Sequence, residues 1–198
     1  MIIAGLTGGI ATGKSTVSAI LKECGAIIID ADLIAHAVVK KGLEAHKRIA
    51  AHFGKQILLP DGELDRPQLG NIIFNHPAQK EMLNQIVHPF VFEEMERQIR
   101  EFERKNPASV VISDIPLLIE SGMHKRFSEI ILVYIPEYLQ MHRLMTRDKL
   151  SEKQAAARIR AQMPIEKKKR FATMIIDNSD SLENTRNQAV AVYQRLRR

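Results

Sequence analysis

The sequence predicts a three-layer α/β fold in which a parallel five-stranded sheet is covered by helices on both faces. Short apolar runs with few polar residues recur along the chain, and segments with helical periodicity separate them. Strands buried on both faces consist of such runs, and parallel neighbours need a crossover helix. The predicted strands are Ile2 to Leu6, Ala26 to Ile29, Val110 to Ile112, Ile130 to Ile135 and Met174 to Ile176.

Helices are predicted from the spacing of apolar residues and from the residues that end them. Gly25 lies at a C-terminal cap position, and Gly42 separates two helices. Turn signals, of which Pro60-Asp61-Gly62 is the clearest, fill Gly54 to Leu69, and Pro89 is expected to kink or divide a long amphipathic helix. The predicted helices are Lys14 to Glu23, Asp32 to Lys40, Leu43 to Phe53, about Leu69 to Phe74, Leu83 to Phe102 and Leu182 to Leu196.

The composition is that of a compact globular protein. Of 198 residues, 45% are hydrophobic and 26% charged, which excludes a largely disordered chain and suits one domain. No apolar run approaches the roughly 20 residues that cross a bilayer, and the N-terminus lacks the features of a secretory signal. The one cysteine, Cys24, cannot form an internal disulfide, and no Cys/His cluster has zinc spacing. We therefore expect a cytoplasmic protein without a membrane partner.

The positive charge is concentrated in one segment. The net charge is +6, and basic residues far outnumber acidic ones between Arg143 and Arg170. A local positive segment suits a compact polyphosphate ligand at least as well as a long nucleic-acid backbone. Aromatic residues make up 5% of the chain and form no stacking motif. We expect no nucleic-acid partner, and we predict no oligomeric state.

A glycine-rich motif joins the first predicted strand to the first predicted helix. The run Gly8-Gly9-Ile10-Ala11-Thr12-Gly13-Lys14-Ser15 matches the pattern G-x-x-x-x-G-K-[ST] of P-loop NTPases and nucleotide kinases. Its backbone N–H groups would surround the phosphates of ATP or GTP, Lys14 would reach the β- and γ-phosphates, and Ser15 would ligate Mg²⁺. The residues expected to hold ATP are Gly8, Gly9, Ala11, Thr12, Gly13, Lys14, Ser15 and Thr16.

Carboxylates follow the second and third predicted strands, where ligands of open α/β sheets usually bind. Of Asp30 and Asp32, one can cap the next helix while the other accepts the proton of an attacking hydroxyl, and we favour Asp32 as the base. His36, one turn after Asp32, either contacts the substrate or is a solvated surface histidine. Asp114 either holds Mg²⁺ through water or caps a turn.

Two arginines lie in the helix expected after the fourth strand. Arg143 and Arg147 are spaced i to i+4, so both side chains can face one side of the helix. Guanidinium groups there would neutralise charge on a transferring phosphoryl group, and the basic segment that follows could close over it as a lid. The alternative is an exposed helix whose charges are solvated.

With these residues assembled, the chain resembles the dephospho-coenzyme A kinase family. The match runs from Ile3 to about Tyr193. The phosphate loop is shared by many families, whereas the ordered set is far more specific. The set consists of Leu6-Thr7-Gly8-Gly9-Ile10, Gly13-Lys14-Ser15-Thr16, Asp30-Ala31-Asp32 with His36, Leu64-Asp65-Arg66, Phe74, His88-Pro89, Ile115-Pro116-Leu117-Leu118-Ile119-Glu120, Arg143 to Arg147-Asp148, Arg158-Ile159 with Gln162, and Ile176-Asp177-Asn178.

The resemblance implies phosphorylation of the ribose 3′-hydroxyl of dephospho-coenzyme A by MgATP, the last step of coenzyme A synthesis. It implies that Asp32 is the general base and that Lys14 with Arg143 or Arg147 stabilises the transferring phosphoryl group. The residues expected to contact the acceptor are Thr7, Asp32, His36 and Arg66; for Arg66 the alternative is a surface arginine.

The resemblance also implies a single domain over 1–198, with a core at about 1–58, 106–148 and 172–198, a helical acceptor-binding insertion at about 59–105 and a lid at about 149–171. The chain departs from the family pattern at Ala172-Thr173 and at Asn178-Ser179-Asp180, where family members commonly have Ala-Asp and a glycine after the asparagine. Two other functions stay open: another small-molecule or nucleotide kinase of this fold, and a nucleotide-dependent switch or nucleic-acid-binding module.

Overall fold

A five-stranded parallel sheet is the centre of the fold. The computed structural model describes all residues from 1 to 198, and its strands are β1 (Ile2–Gly8), β2 (Ile27–Asp30), β3 (Val110–Asp114), β4 (Glu129–Tyr134) and β5 (Met174–Asp177). Their order across the sheet is β2-β3-β1-β4-β5. β1 pairs in parallel with β3 and with β4, and β4 pairs in parallel with β5. The predicted sheet is confirmed, and the apolar run at Met174 is its fifth strand.

The chain also forms nine α-helices and three short 3₁₀ segments. None of the helices combines the length and the apolar composition that crossing a membrane requires. The 3₁₀ segments are Lys55–Ile57, Met123–Arg126 and Lys169–Phe171. The α-helices are α1 (Lys14–Glu23), α2 (Ala31–Val38), α3 (Glu44–Phe53), α4 (Arg66–Asn75), α5 (Pro77–Lys105), α6 (Glu137–Asp148), α7 (Glu152–Arg160), α8 (Ile165–Lys168) and α9 (Leu182–Leu196).

The helix ends show where local signals were sufficient. α1 and α9 have the predicted bounds. α4 begins three residues before the predicted Leu69, at Arg66, because the Asp65 carboxylate accepts a hydrogen bond from the backbone N–H of Gln68 and caps the first turn. α5 is continuous through Pro89, so the proline does not divide it. Val87 and Phe90, on either side of the proline, pack against an apolar cluster, and such tertiary packing can offset the loss of the backbone hydrogen bond that proline removes.

The chain packs as two compact units. The first comprises Met1–Ile29 and Phe102–Arg198. In it, the sheet packs against α1 and α9, and side chains such as Leu6, Leu21, Ile131 and Ala189 are fully buried in one cluster. This unit contains the glycine-rich loop. Its sheet is therefore a rigid base for that loop.

The regular secondary structure of the second unit, Asp30–Glu101, is helical apart from its first residue and one isolated bridge. Its core joins Val39, Ile49 and Ile57 to Leu64 and Leu69. The apolar faces of α2 and α3 are thus buried against α4 and α5. The division of the chain into a core at about 1–58, 106–148 and 172–198, an insertion at about 59–105 and a lid at about 149–171 stays a prediction.

The cap of α2 gives a stability prediction. The Asp30 carboxylate accepts a hydrogen bond of 3.0 Å from the Leu33 N–H at the start of α2. Asp30→Ala should lower the free energy of unfolding, measured in urea, by about 1 kcal/mol, whereas Asp30→Asn should be almost neutral because asparagine caps equally well. Equal losses in the two variants would contradict the capping role.

Candidate functional site

The glycine-rich loop turns sharply between β1 and α1. Gly13 has a φ of +83°, which lies in the left-handed region, and a Cβ added there would lie 2.2 Å from Asn178 Nδ2. Only glycine fits both conditions. No side chain caps the start of α1, and its first turn has no acidic residue. The first N–H groups of α1 are therefore available to an anion at the positive end of the helix dipole.

Lys14 is held beside the loop by Asp114, the last residue of β3. The Lys14 Nζ donates to Asp114 Oδ1, and the Asp114 side chain is only 7% exposed. A nearly buried carboxylate needs such a partner, because desolvation of an unpaired charge is costly. The sequence predicted that Asp114 holds Mg²⁺ or caps a turn. The structure adds a role that the sequence did not predict, since Asp114 is the hydrogen-bond partner of the loop lysine. The contact with Mg²⁺ stays a prediction.

Two glutamines hold the tip of the loop at the backbone of Ile10. Gln140 of α6 donates from Nε2 to the Ile10 carbonyl over 2.9 Å, and Gln162, after α7, accepts from the Ile10 N–H over 2.8 Å. The Ile10 side chain also packs against the apolar cluster around Leu144 and Ile159. Sequence reasoning quoted Gln162 only as part of a family pattern and missed Gln140. Nothing in a lone glutamine on a helix signals such a contact.

Asn178 holds the other half of the loop. Its side-chain amide donates to the Thr12 carbonyl over 2.7 Å, and its side-chain oxygen accepts from the Thr185 hydroxyl over 2.8 Å. In the sequence, this region stands out only as a departure from the family pattern. In the structure, Asn178 is buried, and both ends of its side-chain amide have partners.

The two arginines of α6 have different partners. Arg143 donates from Nη2 to the carbonyl of Asn178 over 2.9 Å, which brings it next to the residue that holds the loop. Arg147 donates to Asp148, which also accepts from Arg158 of α7. The hydrogen bond from Arg147 lowers the pKa of the Asp148 carboxyl, and the same bond raises the pKa of Arg147. Asp148 thus joins α6 to the first helix of the predicted lid. The catalytic roles of both arginines stay predictions.

Thr7 is fully buried just before the loop. Its hydroxyl donates to the Pro116 carbonyl over 3.0 Å and so fixes the turn that follows β3. The Thr7 side chain has no exposed part in this structure. Its contact with the acceptor stays a prediction.

The other predicted acceptor residues lie in the helical unit. Asp32 is exposed in the first turn of α2, and Asp30, not Asp32, caps that helix, as predicted. His36 and Arg66 line one cavity of about 250 Å³. The remaining lining is almost entirely apolar: Ala35, Val39, Ile49, Leu64, Leu69, Gly70, Ile73, Leu83 and Val87.

The fold and the loop together define a class of protein. A glycine-rich loop joins the central strand of a parallel sheet to α1, with a lysine beside it and two arginines on α6. These features are typical of P-loop proteins of the nucleotide-kinase class. Comparisons with known proteins narrow this class. The sequence model of the dephospho-CoA kinase family matches residues 2–184. The chain belongs to the dephospho-CoA kinase family.

Relatives and solved structures agree with this assignment. A curated dephospho-CoA kinase of Carboxydothermus hydrogenoformans is 47% identical over 193 residues, which cover 98% of this chain and 93% of the relative. The solved dephospho-CoA kinase of Campylobacter jejuni superposes with a TM-score of 0.73 at 33% identity, covering 97% of this chain and 95% of that one. A Thermus thermophilus crystal structure superposes with a TM-score of 0.82 at 34% identity, covering 98% and 96%.

The contact between Asn178 and the loop can be tested directly. Asn178→Ala removes the donor to the Thr12 carbonyl, so we expect weaker binding of an ATP analogue and a loss of about 2 kcal/mol in the free energy of unfolding. Thr185→Val is the matched control, because it removes a partner of Asn178 but leaves the bond to Thr12. The control should lose stability with a smaller effect on nucleotide binding. Wild-type nucleotide affinity in Asn178→Ala would show that this bond does not shape the loop.

Proposed function

We propose that this protein transfers the γ-phosphoryl group of ATP to the ribose 3′-hydroxyl of dephospho-CoA and releases CoA and ADP, the last step of CoA synthesis. The observation that carries the proposal is the family match over residues 2–184, since it supplies the acceptor. The phosphate-binding loop supports the donor, because its geometry suits a nucleotide polyphosphate. The cytoplasmic location predicted from the single cysteine stays part of the proposal.

On the donor side, the loop N–H groups would bind the phosphates, and the Lys14 ammonium would stabilise charge at the bridge between the β- and γ-phosphates. Ser15 follows Lys14 in the chain, and the Asp114 carboxylate accepts a hydrogen bond from the Lys14 ammonium. A hydroxyl and one carboxylate fit Mg²⁺, which is usually held by few protein oxygens together with substrate phosphates and water. When bound, Mg²⁺ would neutralise charge on those phosphates.

Arg143 and Arg147 would stabilise the transferring group, with residues 149–171 acting as the lid.

On the acceptor side, Asp32 would accept the proton of the 3′-hydroxyl as that oxygen attacks the γ-phosphorus. Asp32 is an exposed carboxylate in the first turn of α2, the helix that Asp30 caps. The cavity lined by His36 and Arg66 has a mostly apolar lining and one guanidinium. Such a cavity suits an acceptor that carries both an aliphatic arm and phosphate groups.

An acceptor panel tests the proposal. ATP consumption is measured with dephospho-CoA, nucleoside monophosphates, shikimate and gluconate in parallel, and the product is identified by mass spectrometry and by the site of phosphorylation. We expect efficient turnover with dephospho-CoA alone and a product phosphorylated at the 3′-oxygen. Preferential turnover of another acceptor would assign the chain to a different small-molecule kinase activity of the same fold.

Removal of the loop lysine should abolish turnover. Lys14→Ala should lower kcat far more than tenfold, where tenfold corresponds to about 1.4 kcal/mol of transition-state stabilisation. The substitution also leaves the Asp114 carboxylate without its partner and should lower the melting temperature. Lys14→Ala combined with Asp114→Asn should recover stability without recovering turnover. A Lys14→Ala enzyme that keeps more than about a tenth of wild-type kcat would count against the role of the loop.

Asp32→Asn should separate catalysis from stability. The substitution keeps the size of the side chain but removes its ability to accept a proton, so kcat with dephospho-CoA should fall by at least roughly 10²-fold. Binding of an ATP analogue should not change, because the loop is untouched. The melting temperature should hardly change, since Asp30 caps α2. Turnover close to that of wild type would exclude Asp32 as the base and direct the same test to Asp30 or Asp114.

A further inference from the structure

Lys168, the last residue of α8, carries a charge that is fully buried. Its side chain is 0% exposed and is among the largest side chains in the protein with no solvent contact. An ammonium group away from water is costly unless its N–H donors and its charge have partners. Lys168 Nζ has both kinds of partner: Glu120 Oε1 lies at 2.8 Å, and the carbonyl oxygen of Gly8 lies at 3.1 Å.

The carbonyl that Lys168 holds belongs to the first residue of the phosphate-binding loop. Gly8 ends β1, and a Cβ there would lie 2.5 Å from Thr12 Oγ1, so the loop folds back tightly over this residue. Gly8 has no side chain with which to fix its own position. Gly8 is in register with Val133 of β4, and the hydrogen bond from Lys168 adds a side-chain contact to its carbonyl at the point where the chain leaves the sheet and enters the loop.

Glu120 connects the same contact to the end of the predicted lid. Its Oε1 atom also accepts a hydrogen bond of 3.1 Å from the backbone N–H of Met163. The neighbouring Gln162 accepts from the Ile10 N–H, as described above. Residues 162–168 are thus attached to the start of the loop at Gly8 and at Ile10, and α7 precedes them directly.

Stability alone is a weak reason for this arrangement, since apolar residues of similar size commonly replace a buried ion pair at no cost in stability. A methionine would fill the space of Lys168 but could not hold a carbonyl. We propose that Lys168 is a positioning residue for phosphoryl transfer: with Glu120 as its counter-charge, it fixes the Gly8 carbonyl and so sets the geometry in which the loop binds the nucleotide. Because it is fully buried, it acts through the loop and not by touching the nucleotide.

Two of the test variants replace both Lys168 and Glu120, so that neither charge of the pair remains. Lys168→Met combined with Glu120→Gln is neutral, keeps an acceptor for Met163 and lacks the donor to Gly8. Lys168→Gln combined with Glu120→Gln is also neutral but keeps an N–H donor on a side chain one bond shorter. Glu120→Gln alone retains the lysine. Arg186→Met is the control, because Arg186 also pairs with a carboxylate, Glu23 at 2.8 Å, but lies on α9, outside both the loop and the predicted lid.

Three quantities are measured for each full-length variant: melting temperature, Kd for a non-hydrolysable ATP analogue, and kcat with dephospho-CoA. We expect the Met/Gln double variant to melt within a few degrees of wild type, with Kd raised and kcat lowered by roughly tenfold each, because small misplacements in a phosphate site reduce both binding and rate. The Gln/Gln double variant should recover part of both losses. Glu120→Gln should show a smaller loss of the same kind, and Arg186→Met should match wild type.

A purely structural pair gives a different result. Wild-type Kd and kcat in every variant that folds would overturn the proposal, and so would losses of Kd and kcat that only follow the melting temperature. The kcat measurement rests on the proposed function, but the Kd measurement does not. A wild-type protein that binds the ATP analogue and leaves dephospho-CoA unchanged would refute the proposed function without affecting the test of Lys168.

Discussion

A loop that offers its N–H groups to phosphate must have its other backbone groups bonded by the protein itself, and the first unit of this chain is organised around that constraint. The carbonyls of Gly8, Ile10 and Thr12 are each held by a side chain from outside the loop. Buried carbonyls without partners would cost free energy and would let the loop adopt other turns. The left-handed backbone of Gly13 completes the shape, because a side chain there would displace Asn178.

Three of the side chains that hold the loop come from segments expected to move or to contact the phosphoryl group. Gln140 lies on α6, the helix of Arg143 and Arg147, while Gln162 and Lys168 lie within the predicted lid. The loop, α6 and the lid therefore share one set of hydrogen bonds. In such a network, a change in one member alters the geometry of the others. Basic residues that are far from the loop in sequence can therefore influence the geometry of the loop.

The helical unit has a different physical basis. Its core is made of aliphatic side chains from α2, α3, α4 and α5, and its cavity has an apolar lining with His36 and Arg66 at its surface. Apolar linings give binding energy to aliphatic groups, and a few polar groups fix the orientation of a ligand. The proposed nucleotide site thus belongs to the unit that contains the sheet, and the proposed recognition of the acceptor belongs to the helical one.

The sequence by itself determined the features whose causes are local. The apolar runs of β1 and β4, the bounds of α1 and α9 and the Asp30 cap follow from periodicity and capping chemistry within a few residues. The phosphate-binding loop is contiguous, so its glycines, lysine and serine could be read directly. The start of α4 was placed too late because the Asp65 cap was overlooked, although that signal is also local.

Only the tertiary structure decided which distant side chains complete the loop. Ile10 and Gln162 are 152 residues apart, Gly8 and Lys168 are 160 apart, and Thr12 and Asn178 are 166 apart. A glutamine, a lysine in a basic run or an asparagine after a strand has no local pattern that distinguishes a buried partner from a solvated residue. Lys168 lies between Lys167 and Lys169, and burial alone separates it from them. Burial depends on how α8 packs against β1 and the turn after β3, and that is a property of the folded chain.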